Sequence, residues 1–203
     1  MTIRPHCIPT VLVACALLVG CSSEQPTSSP SPQPFEEQIA DAIDKAESGG
    51  SDTSQLQILR DALGVGSITF EAASQSNLAA TACMEEAGIQ VEPVVDERDG
   101  LEVPGYNATP PTGMSSEQAA EIAGACEKRF NYWVNLVYQT QPAAQEARDA
   151  EFEEKRPLLE ECLRNNGVDV DGSESKEELV ELTLDLINRG GPLCFVEAGL
   201  SSL

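Results

Sequence analysis

Four cysteines stand at positions 83, 126, 162 and 194 of a 203-residue chain, with no CxxC spacing among them. A four-thiolate metal centre draws its ligands as close pairs, so this spacing points instead to disulfides, for which three pairings exist. Pairing sequence neighbours, Cys83 with Cys126 and Cys162 with Cys194, is preferred because it yields two halves with related text. Cys83-Met-Glu-Glu-Ala-Gly88-Ile-Gln-Val91 and Cys162-Leu-Arg-Asn-Asn-Gly167-Val-Asp-Val170 share one order: Cys, bulky apolar, three polar or small, Gly, apolar, polar, Val. Each describes a helix carrying its cysteine in the last turn, a glycine in the left-handed cap position, and an extended segment leaving it. A second helix bearing the partner cysteine is expected after each. Closing loops of this size stabilises a small domain by roughly 2–4 kcal/mol per bridge, mainly by constraining the unfolded chain.

Disulfides persist in oxidising compartments, and the N terminus reads as a route to one. Arg4 and His6 precede the apolar run from Ile8 to Val19, which ends at Gly20 and Cys21 before an abrupt polar switch. This is the charged, apolar and small-residue order of a secretory signal. As a helix the run would reach only ~18 Å, short of the ~30 Å of bilayer hydrocarbon, so it is read as removed. Leu18-Val19-Gly20-Cys21 resembles the lipobox of bacterial prolipoproteins. The resemblance implies a signal peptide over 1–20, a thioether-linked lipid with palmitate-type acyl chains on Cys21, and anchoring on the extracytoplasmic face of the cell membrane. Residues 21–34, rich in Ser, Pro, Gln and Thr, cannot bury a core and read as an extended, disordered tether of about 3 Å per residue. Residues 35–203 are then one helical domain with two related, Cys-paired halves.

The formal net charge is −22, and loss of Arg4 with the signal makes it more negative still. Such a surface repels nucleic acid and anionic headgroups while keeping the protein dispersed, and leaves neutral or cationic partners. The only histidine, His6, falls in the signal. The remainder therefore has no Ser-His-Asp or Cys-His machinery and no His-ligated metal site, and no cofactor is expected.

Carboxylates are plentiful enough to serve as a general acid and base on an envelope polysaccharide, but no pair stands out. Glu-Glu pairs at 36/37, 85/86, 153/154, 160/161 and 177/178 are expected on water-facing helix surfaces. Asp169, Asp171, Ser173 and Glu174 have oxygen ligands suited to calcium, yet an EF-hand register puts Glu174 at the glycine position and Val180 at the twelfth. A solvated turn leading into a capped helix is the better reading. Asn107-Ala108-Thr109 matches a glycosylation sequon, a signal of little force in a bacterium.

The predicted fold is mainly α, a small disulfide-stapled helical domain with one β-hairpin. Phe35–Glu47 and Ser54–Leu63 read as short helices. Thr69 caps a helix to Ala87. Ile89 to Tyr106 suggests a hairpin turning at 98–100, and the proline-rich 106–113 a loop. The strongest helical period, Ala119, Ile122, Ala123, Cys126, Phe130, Trp133 and Val137, predicts one helix opened by Met114 to Ser116, with its aromatics facing the core. A long acidic helix over 143–166 should kink or divide at Pro157. Ser175 and Glu178 form a capping box for a helix through Arg189, although the alternation at 182–186 also fits a strand.

The segments Ile-Thr-Phe-Glu at 68–71, Cys-Met-Glu-Glu-Ala-Gly at 83–88, Cys-Glu-Lys-Arg-Phe at 126–130 and Val-Asn-Leu-Val-Tyr-Gln at 134–139 resemble those of a group of uncharacterised secreted lipoproteins of actinobacteria. That resemblance implies an actinobacterial envelope and brings no activity or binding residues. The functional expectation is a membrane-anchored module that binds an envelope protein or peptide through an apolar surface with an acidic rim. A carboxylate-based hydrolase and a cation-binding or structural spacer are the alternatives.

Overall fold

The computed structural model describes residues 34–98 and 100–200. The signal, Cys21 and the tether up to residue 33 lie outside these, as does Asp99 of the expected turn. Among the described residues the fold is mainly α, with eight helices, one antiparallel hairpin and two disulfides. In chain order these are α1 (Phe35–Ser48), α2 (Thr53–Val65), α3 (Phe70–Glu86), β1 (Gln90–Arg98) and β2 (Leu101–Thr109). They are followed by α4 (Ser116–Phe130), α5 (Tyr132–Thr140), α6 (Pro142–Asn165), α7 (Lys176–Asn188) and the short α8 (Cys194–Glu197).

Local chemistry sets most helix ends. Asp52 accepts from the Ser54 amide at 3.0 Å to start α2, and Thr69 accepts from the Ala72 amide at 3.1 Å to start α3. Full capping boxes open α4 (Ser115 with Gln118) and α7 (Ser175 with Glu178), each satisfying two otherwise unpaired amides. α3 and α6 are followed by Gly88 and Gly167 at φ of 88° and 78°, a conformation that a Cβ would strain.

The disulfides join Cys83 to Cys126 and Cys162 to Cys194, the pairing of sequence neighbours. The two halves then diverge. Gly88 leads into β1, whereas Val168 and Val170 after Gly167 are buried without forming a strand. Cys126 does lie on the next helix, α4, but Cys194 is not on α7. That helix stops at Asn188, the chain turns through Gly190, and the cysteine sits on α8.

The hairpin is longer than the sequence suggested. Tyr106–Thr109 is strand rather than loop, because it pairs with Gln90–Pro93 at the far end of β1. Pairing to a partner strand outweighs the local turn tendency of this stretch. Both strands contain proline, and the register makes this tolerable. Pro93 faces Tyr106 and Pro104 faces Val95, two pairs of the same class in an alternating antiparallel ladder. Both missing N–H groups therefore point outward, which also blunts the two edges against further strands.

The expected single helix over 116–137 is two. Asn131, at φ −132° and ψ −35°, separates α4 from α5. Conversely, α6 runs through Pro157 without dividing, and 182–186 is helix, with Leu179, Thr183 and Leu186 as its buried stripe.

Among the described residues three clusters of buried side chains form the core. One joins α1, α2 and α5 around Ile39, Leu59 and Val134. A second joins α3 and α4 around Met84, Ile89 and Cys126. The third joins the second half of α6 to α7 and α8 around Phe152, Leu163, Leu179 and Cys194. Each disulfide is embedded in a cluster, the first in the second and the other in the third.

Candidate functional site

The outer flank of α7 carries the candidate site. Glu174, just before the helix, and Glu178, Glu181, Leu182 and Asp185 on it line a concavity of about 300 Å³. Steps of four, three and four residues between the acids place them along one side of the helix. Glu178 and Asp185 are ~10 Å apart along its axis. Leu182 is half-buried, its inner side against the third cluster, and it gives the concavity an apolar floor.

The four rim carboxylates differ in how they are held. Glu174 turns its side chain back onto the preceding loop, accepting from the amides of Asp171 and Gly172 at 2.9 Å each. Those backbone bonds, the Asp171 amide first, hold its pKa below the usual carboxylate range. Glu178 accepts from the Ser175 amide at 2.7 Å within the capping box. Asp185 lies 3.2 Å from Arg189 one turn on, an exposed pair worth well under 1 kcal/mol. Glu181 has no hydrogen bond or ion pair among the described residues, and of the four it is the one whose charge is fully available.

Behind this flank, Arg156 on α6 fixes where α7 begins. Its guanidinium donates to both carboxylate oxygens of Glu153, at 2.7 and 2.6 Å, and to the backbone oxygen of Glu174 at 2.9 Å. The Glu153 carboxyl is held below its ordinary pKa, chiefly by these bonds.

The 169–174 stretch behaves as a turn. The Ser173 hydroxyl, and after it the Ser173 amide from which Asp171 accepts at 2.9 Å, lower the Asp171 pKa. One oxygen of Asp171 and both oxygens of Glu174 are thus engaged with the protein's own backbone. The Glu-Glu pairs face water with one correction: Glu160 is buried, 3.9 Å from Arg156 and 3.5 Å from Arg164. A half-wet helix flank became a core edge there because two arginines, one turn to either side, neutralise it. Asn107 is exposed on β2. Phe130 and Trp133 pack, partly buried, against different clusters. The four cysteines are closed as disulfides, and Cys21 lies outside the described residues.

This arrangement combines charge with apolar contact and is suited to holding a ligand. The sequence singles out the Glu177/Glu178 pair but not this flank. The signal was present as Glu174, Glu178, Glu181 and Asp185 at helical spacing around Leu182. It was masked by the general abundance of acids. Comparison with protein families, curated proteins and solved structures finds no match. Among the described residues no helix is long and apolar enough to cross a membrane.

Proposed function

We propose that this is a binding module of the bacterial cell envelope, held on the extracytoplasmic face of the membrane by lipid on Cys21. Its α7 flank takes a protein or peptide segment that carries Lys or Arg beside an apolar residue. The observation supporting this reading is the concavity of about 300 Å³ that combines the Leu182 floor with a rim of four carboxylates and, among the described residues, no lining cation. An apolar contact there would be desolvated by the partner, while the rim selects for positive charge and speeds encounter. The overall charge of −22 acts in the same direction, and the tether would give the domain reach from the bilayer.

The test is site-specific photocrosslinking in cells, on the full-length lipidated protein, with the crosslinker at Glu181 and a control at exposed Glu117 on α4. The expected result is an envelope protein captured from position 181 alone and lost when the charge at the neighbouring rim position is reversed by Asp185→Lys. Equal capture from both positions, or capture unaffected by the charge reversal, would remove the basis for this assignment.

A further inference from the structure

A second concavity, on a different face and of different chemistry, lies beside the α4–α5 joint. Glu127, Asn131, Tyr132, Asn135, Leu136 and Gln139 line about 180 Å³. That is below the ~300–1,000 Å³ that encloses a drug-sized molecule, and admits a single ring.

Its polar groups are already oriented and retain free hydrogen-bonding capacity. Tyr106 donates its hydroxyl to one oxygen of Glu127 at 2.6 Å, fixing that carboxylate and leaving its other oxygen open. The same contact, after burial, raises the tyrosine's pKa, so the phenol stays protonated as the donor. Gln139 donates to the Asn135 side-chain oxygen at 2.9 Å. This pairing aligns the two amides and leaves an amide N–H₂ on Asn135 and a carbonyl on Gln139 unused. Tyr132 and Leu136 are 50 % and 42 % exposed, and supply apolar surface next to these groups. Neutral amides, one fixed carboxylate and an exposed aromatic ring match a ligand with hydroxyl edges and C–H faces. Among the described residues no cation lines the cavity, which together with Glu127 disfavours an anionic ligand.

We propose that the α4–α5 groove is a subsite for one ring of a neutral sugar, such as a residue of an uncharged envelope oligosaccharide. It is independent of the peptide-binding assignment for α7.

The chain supplies its own reporter. Trp133 is the single tryptophan, and its ring centroid lies 4.9 Å from that of Tyr132. The lipidated protein, in a detergent without a sugar headgroup, would be titrated with the trimer of N-acetylglucosamine and with maltotriose while Trp133 emission is followed. Concentrations to about 10 mM cover the ~1 mM dissociation constants of weak single-ring sites. A saturable emission change with at least one trisaccharide is expected. The Asn135→Ala, Gln139→Ala variant should weaken it about tenfold or more, and Glu181→Lys on α7 should leave it unchanged. Far-UV circular dichroism of the double variant, whose replaced side chains are only partly buried, confirms that the fold is retained. No saturable change with either sugar, an equal change in the double variant, or saturation by a neutral peptide instead would overturn the proposal.

Discussion

Gln55 offers the sharpest test of how the fold is held, because one side chain bridges four backbone groups at the α4–α5 joint. It is completely buried on α2. Its Nε2 donates to the carbonyls of Lys128 and Arg129 at 3.2 and 2.9 Å, and its Oε1 accepts from the amides of Trp133 and Val134 at 2.8 and 3.4 Å. These are groups that a helix end and a helix start leave unpaired. Gln55→Met keeps the length and most of the volume while removing every bond. Of the two short contacts, the Trp133 amide is left dry at ~1–3 kcal/mol, while the Arg129 carbonyl, which also accepts from the Asp52 amide at 2.8 Å, loses one bond worth ~0.5–1.5 kcal/mol, so the loss is about 1.5–4.5 kcal/mol. For a domain of this size each kcal/mol moves Tm by ~2–4 °C, so a loss of ~3 kcal/mol lowers it by ~6–12 °C. Calorimetry and urea unfolding of both proteins would measure this. A drop under ~2 °C, at the level of a surface substitution, would show that water or a shifted backbone satisfies the joint and that Gln55 does not hold it.

Three further outcomes follow from the same structure. Replacing Cys162 and Cys194 together by Ser removes a cross-link between residues 32 apart in sequence; urea unfolding should show a loss of ~2–4 kcal/mol, and an unchanged midpoint would mean that the unfolded chain is not constrained by the bridge. Asp52 has its pKa lowered below 3.8, first by the Ser54 amide and then by the Ser54 hydroxyl. Its charged form therefore stabilises the fold above the unfolded value, and that contribution is lost as pH falls through the folded value. Asp52→Asn should lower stability at pH 7 and flatten the curve below about pH 4.5, the difference from the native protein shrinking as Asp52 protonates, and a parallel acid limb would contradict the assignment. Cys21→Ala should move the protein from the membrane fraction to the medium; retention on the membrane would refute lipid anchoring.

What was legible in the sequence was chemistry carried by neighbouring residues. Thr69, the Ser175–Glu178 box, and Gly88 and Gly167 after their cysteines each act within one helical turn, and all appear where the local text places them. The cysteine pairing was legible because the two helix ends share a motif. The errors came from partners distant in sequence. Tyr106–Thr109 looks like a loop because Pro104, Gly105, Pro110 and Pro111 flank it, while the strand that recruits it lies at 90–93. The break at Asn131 was invisible because the apolar period from Ala119 to Val137 runs through it unchanged. The candidate groove was hidden for another reason: acids at helical spacing also describe any solvated flank, and only the placement of Leu182 between them distinguishes it.

The break at Asn131 also explains why two amide side chains beyond Gln55 are buried. Asn131 contacts Ser76 at 3.0 Å and Asn77 at 3.3 Å, and Asn77 donates to the carbonyl of Gly105 on β2 at 3.0 Å. At the other end of α5, Gln141 makes two bonds to the Ile68 backbone, accepting from its amide at 3.0 Å and donating to its carbonyl at 3.1 Å. Both joints that bound α5 are thus set by amides paired with α2, α3 or the loop before α3. An apolar stripe alone would leave α4 and α5 free to continue as one helix, since nothing in its period marks residue 131. Buried amides make that alternative costly, because a straight helix would strand Gln55 and Asn131 and leave the side-chain oxygen of Asn77 unpaired. The position of the joint, and with it the groove lined by Glu127, Asn135 and Gln139, is therefore fixed by hydrogen bonding rather than by hydrophobic pattern.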